Sequence, residues 1–391
     1  MAANLFKEVA FYQACKATEI ACGDTFLSHR DRVTGRVVSV LSDGLGSGVK
    51  ANILASMTAK MALKFAESEL DMIRSAEIMM DALPVCAVRK IGYATFTVVD
   101  CRDSRTTRIV EQGNPGFVLI RAGDVVTPRF TEISGRHGDY RKICVTEFEP
   151  QPEDRVLFFS DGVTEAGMGS VTYKLGWRRT GVVGFVRQIL VDNPTISARS
   201  ITRKIVTEAL RKEPGGRACD DTSCAALYLR KPRRTLVLSG PPFAAGRDRE
   251  FAQLIETFDG RKVICGGTSA EIISRELARP LHTPLLRGHS ALPPLSQMEG
   301  VDLVTEGILT LTEVQRYLES GKQPSTSNAA TQLVELFRDS DVIELVVGTR
   351  INEAHQDPSL PVDLEIRRNL LKRMKRVLED HYMKEVNVRY I

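Results

Sequence analysis

Residues 37–48 read Val-Val-Ser-Val-Leu-Ser-Asp-Gly-Leu-Gly-Ser-Gly. Val37 to Leu41 is a short, continuous apolar run, the pattern of a strand buried on both faces. It runs directly into Ser42-Asp43-Gly44. Gly44, Gly46 and Gly48 keep the next loop tight and almost free of side chains. Upstream, Thr34-Gly35-Arg36 predicts a hairpin turn between two strands. Downstream, Ile53, Met57, Met61 and Phe65 recur at helical spacing, which predicts a helix over 49–69. An aspartate therefore stands where a strand gives way to a helix.

The same grammar recurs. Arg155 to Ser160 predicts a strand ending at Asp161-Gly162, and Cys219-Asp220-Asp221-Thr222 precedes a strand over 223–229. Cys22-Gly23-Asp24 stands before the strand that leads to the Thr34 turn. A single Ser-Asp-Gly is usually an ordinary turn. Several carboxylates meeting at one sheet edge repel one another unless cations hold them. The set predicts a hard-metal site with two Mg2+ or Mn2+ ions, used for hydrolysis. Gly44-x-Gly46-x-Gly48 lacks both the dinucleotide spacing and a phosphate-loop lysine, so it predicts no nucleotide cofactor.

Around these motifs the first half predicts a mostly antiparallel α+β layout. Strands are expected at 93–101, 107–111 and 117–121, and helices at 71–83, 181–191 and 197–212. Lys231-Pro232-Arg233-Arg234 marks a linker, giving domains over 1–232 and 235–391. The second half alternates strand, turn and helix. Strands at 235–238, 262–265 and 342–347, with helices at 248–258, 270–277 and 363–382, predict a smaller α/β domain. Thr268 and Glu271 have capping-box spacing. Gly266-Gly267-Thr268-Ser269 opens that helix and reads equally as a tight turn or as a site for a small anionic ligand.

The chain has 391 residues, 43% hydrophobic and 26% charged, with eight scattered cysteines and no C-x-x-C pair. This argues against a zinc ribbon or a disulfide scaffold and for a reducing, cytoplasmic setting. Neither a secretory leader nor a membrane span is expected. Residues 1–234 hold 34 basic and 27 acidic side chains, and residues 235–391 hold 19 and 22. That excess is too mild and dispersed for a nucleic-acid face. Arg178-Arg179 reads as solvated loop, with anion attraction as the lesser alternative. The six histidines do not cluster at metal spacing, and Cys22 and Cys219 read as small buried residues beside strand ends.

Cys22-Gly23-Asp24-Thr25, Ser42 to Gly48, Phe159 to Val163 and Asp220-Asp221-Thr222-Ser223 together resemble the metal-dependent type 2C serine/threonine protein phosphatases. The nearer likeness is to the bacterial branch typified by stage II sporulation protein E, over about residues 5 to 230. The resemblance implies a four-layer α-β-β-α sandwich with metals at one end of its sheets. It implies that Asp43 bridges both ions, that the Gly44 carbonyl binds one, and that Asp161 and Asp220 complete one ion's ligands. Asp24 would contact the second ion, and Asp221 would support the set. The implied substrate is a phosphorylated regulatory protein in signal transduction. The alternative is an inactive signalling protein on the same fold, whose C-terminal domain senses a small anion. The family's phosphate-gripping arginine has only Arg30 and Arg32 as candidates, Ser47 replaces the usual residue after S-D-G-x-G, and Asp221-Thr222-Ser223 departs from the common D-D-M-T run.

Overall fold

The computed structural model describes residues 5–31, 33–68, 94–102, 106–134, 142–284, 295–321, 328–350 and 360–391, with positions 74 and 78; side chains of the last helix are described from Arg367 onward. Apart from positions 74 and 78, which are helical, the helix expected at 71–83 lies outside the described residues, as does Arg32. The chain divides into two compact units, Met1–Lys231 and Pro232–Ile391.

In the first unit the strands are β1 (Phe6–Ala14), β2 (Asp24–Arg30), β3 (Val37–Gly44), β4 (Ala94–Cys101), β5 (Thr107–Gln112), β6 (Val118–Arg121), β7 (Asp124–Val126), β8 (Phe130–Ser134), β9 (Lys142–Phe148), β10 (Arg155–Phe159) and β11 (Thr222–Arg230). The helices are α1 (Gly48–Glu67), the single turn α2 (Asp161–Thr164), α3 (Arg178–Asp192) and α4 (Ala198–Lys212). Two sheets form, in the orders β1-β11-β10-β6-β7 and β2-β3-β4-β5-β9-β8. Every pairing in both is antiparallel. The first and last strands of the unit pair along their whole length, from Phe6 opposite Arg230 to Ala14 opposite Thr222.

Strand alternation builds the layers. Leu41, Val99 and Ile109 of one sheet share a buried cluster with Val156, Phe158 and Leu227 of the other, so the sheets pack face to face. Val38, Val40 and Val98 point the other way, onto α1. Leu157, Phe159 and Ala226 meet α3 and α4 through Val182, Val186, Ile201 and Ile205. Each fully buried Leu, Val or Phe contributes about 1.5–3 kcal/mol.

The helix α1 forms as expected, but only Met61 and Phe65 of the apolar stripe pack against the core. Ala51, Ala55, Ala59, Ala62 and Ala66 lie inward, while Ile53 and Met57 are 53% and 54% exposed. Small side chains let the helix axis approach the sheet more closely than an Ile and Met stripe would allow. The Thr34 turn forms as expected. The Asp31 carboxylate accepts from the N–H groups of Val33 and Thr34, and Gly35 takes a positive φ of 66°.

The second unit holds β12 (Arg234–Ser239), α5 (Asp248–Thr257), β13 (Arg261–Cys265), α6 (Gly267–Leu277), β14 (Leu303–Thr305), α7 (Ile308–Ser320), α8 (Ala329–Asp339), β15 (Val342–Val347), α9 (Leu360–Asp380) and β16 (Glu385–Tyr390). Its sheet runs β14-β13-β12-β15-β16, and all its pairings are parallel. Leu236, Leu238 and Ile264 pack on α5 and α6. Val237, Val263, Ile343 and Leu345 pack on α7, α8 and α9. Helices cover both faces, which is why the central strands β12, β13 and β15 read as mainly apolar runs.

One local expectation fails here. Helix α6 starts at Gly267 and its N-cap, Gly266, makes no side-chain cap, so Thr268 and Glu271 do not form a capping box. A reciprocal capping box does form at α8, between Asn328 and Thr331, where threonine stands in for the usual Glu or Gln.

Candidate metal centre

Register brings the first two carboxylates together. Asp24 opens β2 directly opposite Asp43 near the end of β3. Gly44 follows because α1 crosses close by: a Cβ there would stand 2.1 Å from the Ala51 carbonyl oxygen. In the other sheet, β10 ends at Phe159 and Ser160 caps the turn that Asp161 opens. Ser160 is bound into the start of β11: its N–H donates to Ser223 O, and its Oγ accepts from Ser223 N–H at 3.0 Å. A Cβ on Gly162 would come within 2.2 Å of Asp221 O. The glycines of both Ser-Asp-Gly runs thus permit backbone contacts that set where the neighbouring carboxylates stand.

Burial grades across the group. Asp24 is 2% exposed, Asp43 and Asp161 are half-buried, and Asp220 is exposed. Neither Asp24 oxygen nor the Ser223 hydroxyl forms a well-aligned hydrogen bond among the described residues, although the Ser223 and Ser160 hydroxyls stand close enough to Asp24 to stabilise its charged form. Burial is the main reason that the Asp24 carboxyl is pushed up to about 7; nearby Ser223 and Ser160 oppose the shift, and the charges of Asp221 and Asp161 add to it. Asp43 is pushed up to about 9 by burial and then by the charges of Asp24, Asp161 and Asp220. Asp220, exposed at the surface yet crowded by neighbouring atoms on one side, is raised foremost by that partial desolvation and also by the charge of Asp161. Asp43 thus feels the charges of the other three, which places it at the centre of the group.

Asp221 differs. Its Oδ1 accepts from Lys16 N–H at 2.9 Å and its Oδ2 from Gly23 N–H at 2.8 Å, so both oxygens are engaged by backbone. It holds the segment between β1 and β2 that leads into Asp24. Asn52 adds a bond from Nδ2 to Cys22 O, and Ser47 Oγ donates to Glu19. Ligand atoms of Cys15, Cys22 and Asp221 lie within 4.8 Å of one another. Burial, and then the hydrogen bond to Asp221, raise the Cys22 thiol far above its ordinary range, which keeps it a neutral donor and a poor soft-metal ligand. Cys22 is buried as expected, but Cys219 is exposed.

Some sequence candidates fall elsewhere. Arg30 stands at the far end of β2, about 20 Å along the strand from Asp24, where it donates to Lys7 O and lies over the Phe6 ring. Arg179 donates through Nε and Nη2 to the carbonyls of Gly116 and Phe117, so it ties α3 to the turn before β6 rather than standing free in a loop. That turn borders a cavity lined by Glu111, Phe117, Phe130, Cys144 and Arg179. Burial pushes the Glu111 carboxyl up to about 7.

Two residues near the centre escaped sequence reading. Lys16 is a cation close enough to lower the pKa of Asp220. Glu165, on the turn after α2, is raised by burial and by the charges of Asp161 and Asp220. Glu165 follows Asp161 by four residues, one helical turn, and that spacing was the signal available for it.

The four carboxylates have the chemistry of a hard-cation donor set: they are all oxygen and they concentrate negative charge. Among the described residues no three of them bring ligand atoms within 4.8 Å of one another, as Cys15, Cys22 and Asp221 do. Two antiparallel sheets packed face to face, with carboxylates gathered at their strand ends, define the class of type 2C phosphatase domains. Residues 34–230 match the family described as stage II sporulation protein E (SpoIIE), and the chain belongs to that family through a PP2C-type serine/threonine phosphatase domain. No curated protein matches the sequence at a significant level. Among solved structures, the chain is similar to the phosphatase domain of SpoIIE from Bacillus subtilis, at 14% identity over 59% of this chain and 95% of that one, with a TM-score of 0.45. It is also similar to the RsbU and RsbW domains of Rv1364c from Mycobacterium tuberculosis, at 18% identity over 66% and 71%, TM-score 0.48. RsbX, solved in complex with magnesium, matches at 17% identity over 57% and 95%, TM-score 0.39. Among the described residues, no helix is long and apolar enough to cross a membrane.

Proposed function

We propose that the first unit hydrolyses phosphoserine or phosphothreonine on a regulatory protein, using two Mg2+ or Mn2+ ions. The observation that carries the reading is the electrostatic grouping of Asp24, Asp43, Asp161 and Asp220, in which the most buried carboxylate, Asp24, makes no well-aligned hydrogen bond among the described residues. Asp43 would hold both ions, with the Gly44 carbonyl, Asp161 and Asp220 on one and Asp24 on the other. The ions, when bound, supply a water acidified toward neutral pH and charge neutralisation for the phosphoryl oxygens.

The remaining roles belong to the chain itself. Asp221 fixes the segment that carries Asp24 by gripping two backbone N–H groups, and so acts as a positioning residue rather than a ligand. Ser160 locks the start of α2 against β11, which sets the direction of Asp161. Lys16 offers the one cation found acting on Asp220 among the described residues, and it would draw a phosphate dianion toward an otherwise negative surface. All of the proposed ligands lie in the first unit, and none of this chemistry calls on Pro232–Ile391.

The test is hydrolysis of p-nitrophenyl phosphate and of a phosphoserine peptide by the full chain in metal-defined buffer. Mn2+ should stimulate both reactions, and Asp43→Asn and Asp161→Asn should each lower the rate about a hundredfold or more. Wild-type rates in both variants would refute the site. Calorimetric titration separates the inactive alternative: an active centre takes up two Mn2+ per chain, and a scaffold that binds none would exclude the enzymatic reading.

A further inference from the structure

The parallel sheet of the second unit starts at its centre, runs outward through β13 and β14, and then returns to the other side of β12 for β15 and β16. The order reverses between β12 and β15. In open sheets of this kind, ligands bind beyond the carboxyl ends of the strands, beside that reversal.

The chain is stripped of side chains at this edge. Gly240 follows β12, Gly266 and Gly267 follow β13, Gly307 follows β14, and Gly348 follows β15. The loops approach closely. A Cβ on Gly266 would lie 3.5 Å from Ser269 Oγ and 3.9 Å from Gly240 N, and one on Gly307 would lie 3.6 Å from the Gly266 Cα. A Cβ on Gly240 would meet the Arg367 guanidinium of α9 at 2.5 Å.

The second observation concerns hydroxyls. Ser239 at the end of β12, Ser269 in the first turn of α6 and Thr310 in the first turn of α7 are 2%, 0% and 0% exposed. None of the three side-chain oxygens has a hydrogen-bond partner, and Glu306 Oε2, just after β14, is also without one. An unpaired buried polar atom costs about 1–3 kcal/mol, so three such hydroxyls beside one glycine-lined edge are a costly coincidence in a purely structural turn. Ser239 and Ser269 come from different elements, yet both stand beside Gly240.

We propose that this edge binds an organic phosphate carrying free hydroxyl groups, a sugar phosphate or a nucleotide. The backbone of Gly266 and Gly267 at the α6 N-terminus and the Ser269 hydroxyl receive the phosphate, with the Arg367 charge adding attraction. The Glu306 carboxylate accepts from the ligand's hydroxyls and sets the preference for a polyol over inorganic phosphate. The site stands independently of the phosphatase reading.

Gly267 supplies the decisive variant. A Cβ there meets nothing within 4 Å and its φ is not positive, so the position accepts a side chain without strain. Aspartate at the first turn favours the helix but repels an anion. The full chain, stripped of divalent metal, is titrated calorimetrically with ribose 5-phosphate, AMP and inorganic phosphate. Ribose 5-phosphate or AMP should bind at least about tenfold more tightly than inorganic phosphate, and which of them binds identifies the class of ligand. Gly267→Asp should weaken binding about tenfold or more with an unchanged or raised Tm, and Glu306→Gln should erase the advantage over inorganic phosphate. Absence of binding by all three probes at about 1 mM would overturn the proposal. Undiminished binding in Gly267→Asp would overturn it equally, and an unchanged preference in Glu306→Gln would overturn the role of that carboxylate.

Discussion

Asp24 and Asp43 are directly opposed residues of the β2–β3 ladder, so two carboxylates share one face of one sheet end. Like charges in that position are destabilising in an ordinary sheet. The surrounding backbone nonetheless fixes them there through Asp221, Asn52 and the contact between Gly44 and α1.

Asp221 is the first test of how that frame works. Asp221→Ala leaves two N–H groups without their charged acceptor and should cost about 3 kcal/mol or more of stability. Asp221→Asn keeps one acceptor oxygen and should cost about 1–2 kcal/mol. Denaturant unfolding measures both. Mn2+ stoichiometry in Asp221→Asn should remain two; a fall to one would make Asp221 a ligand.

The motif glycines predict a contrast. Gly162→Ala forces a methyl group against Asp221 O and should destabilise by about 1–3 kcal/mol while lowering activity. Gly184, exposed on α3 with nothing within 4 Å of a Cβ, is the control. Gly184→Ala should stabilise by about 0.5–1 kcal/mol and leave turnover alone. Equal effects at both positions would deny the backbone contact its role.

Lys16→Ala should lower kcat/KM for a phosphopeptide about three- to tenfold and flatten its dependence on salt. Mn2+ affinity should hold or increase, because a repelling cation is removed. An unchanged salt dependence would show that Lys16 does not attract substrate.

Glu111 predicts a pH effect on stability. Its carboxyl moves from 4.5 to about 7 on folding, chiefly through burial. The folded state then holds the proton more tightly than the unfolded state. The penalty is therefore absent below about pH 4.5, grows as pH rises toward 7, and is constant above that. Glu111→Gln keeps an acceptor for the Phe117 N–H and should remove up to about 3 kcal/mol of that loss. Its stability relative to wild type should rise between pH 5 and 7; parallel curves would contradict the shift.

Much of this was legible in the residues. The apolar runs before Asp43 and Asp161 announced strands, and the helices expected at 181–191 and 197–212 formed at Arg178–Asp192 and Ala198–Lys212. Other features depend on tertiary contacts that no local pattern encodes. Ile53 and Met57 gave the helical period of α1, but the alanines between them face the sheet, because close approach favours small groups over large ones. Arg30 had the right side chain and the wrong strand end, which becomes plain only when β2 is paired with β3. Lys16 carried no motif; its place follows from β1 lying beside β11. In the second unit, β14 is three residues long and β16 is largely exposed on one side, so neither showed an apolar run.

The pairing of β1 with β11 also fixes when the centre can exist. Phe6 finds its partner only once Arg230 has been made, and at typical ribosomal rates that interval is on the order of ten to forty seconds. Asp220 arrives near the end of the same interval. A nascent chain therefore carries β1 without its partner, exposed to chaperones and proteases, until β11 has been made. No prematurely terminated fragment ending before that strand could assemble the four carboxylates, so catalysis would itself certify a fully translated first unit.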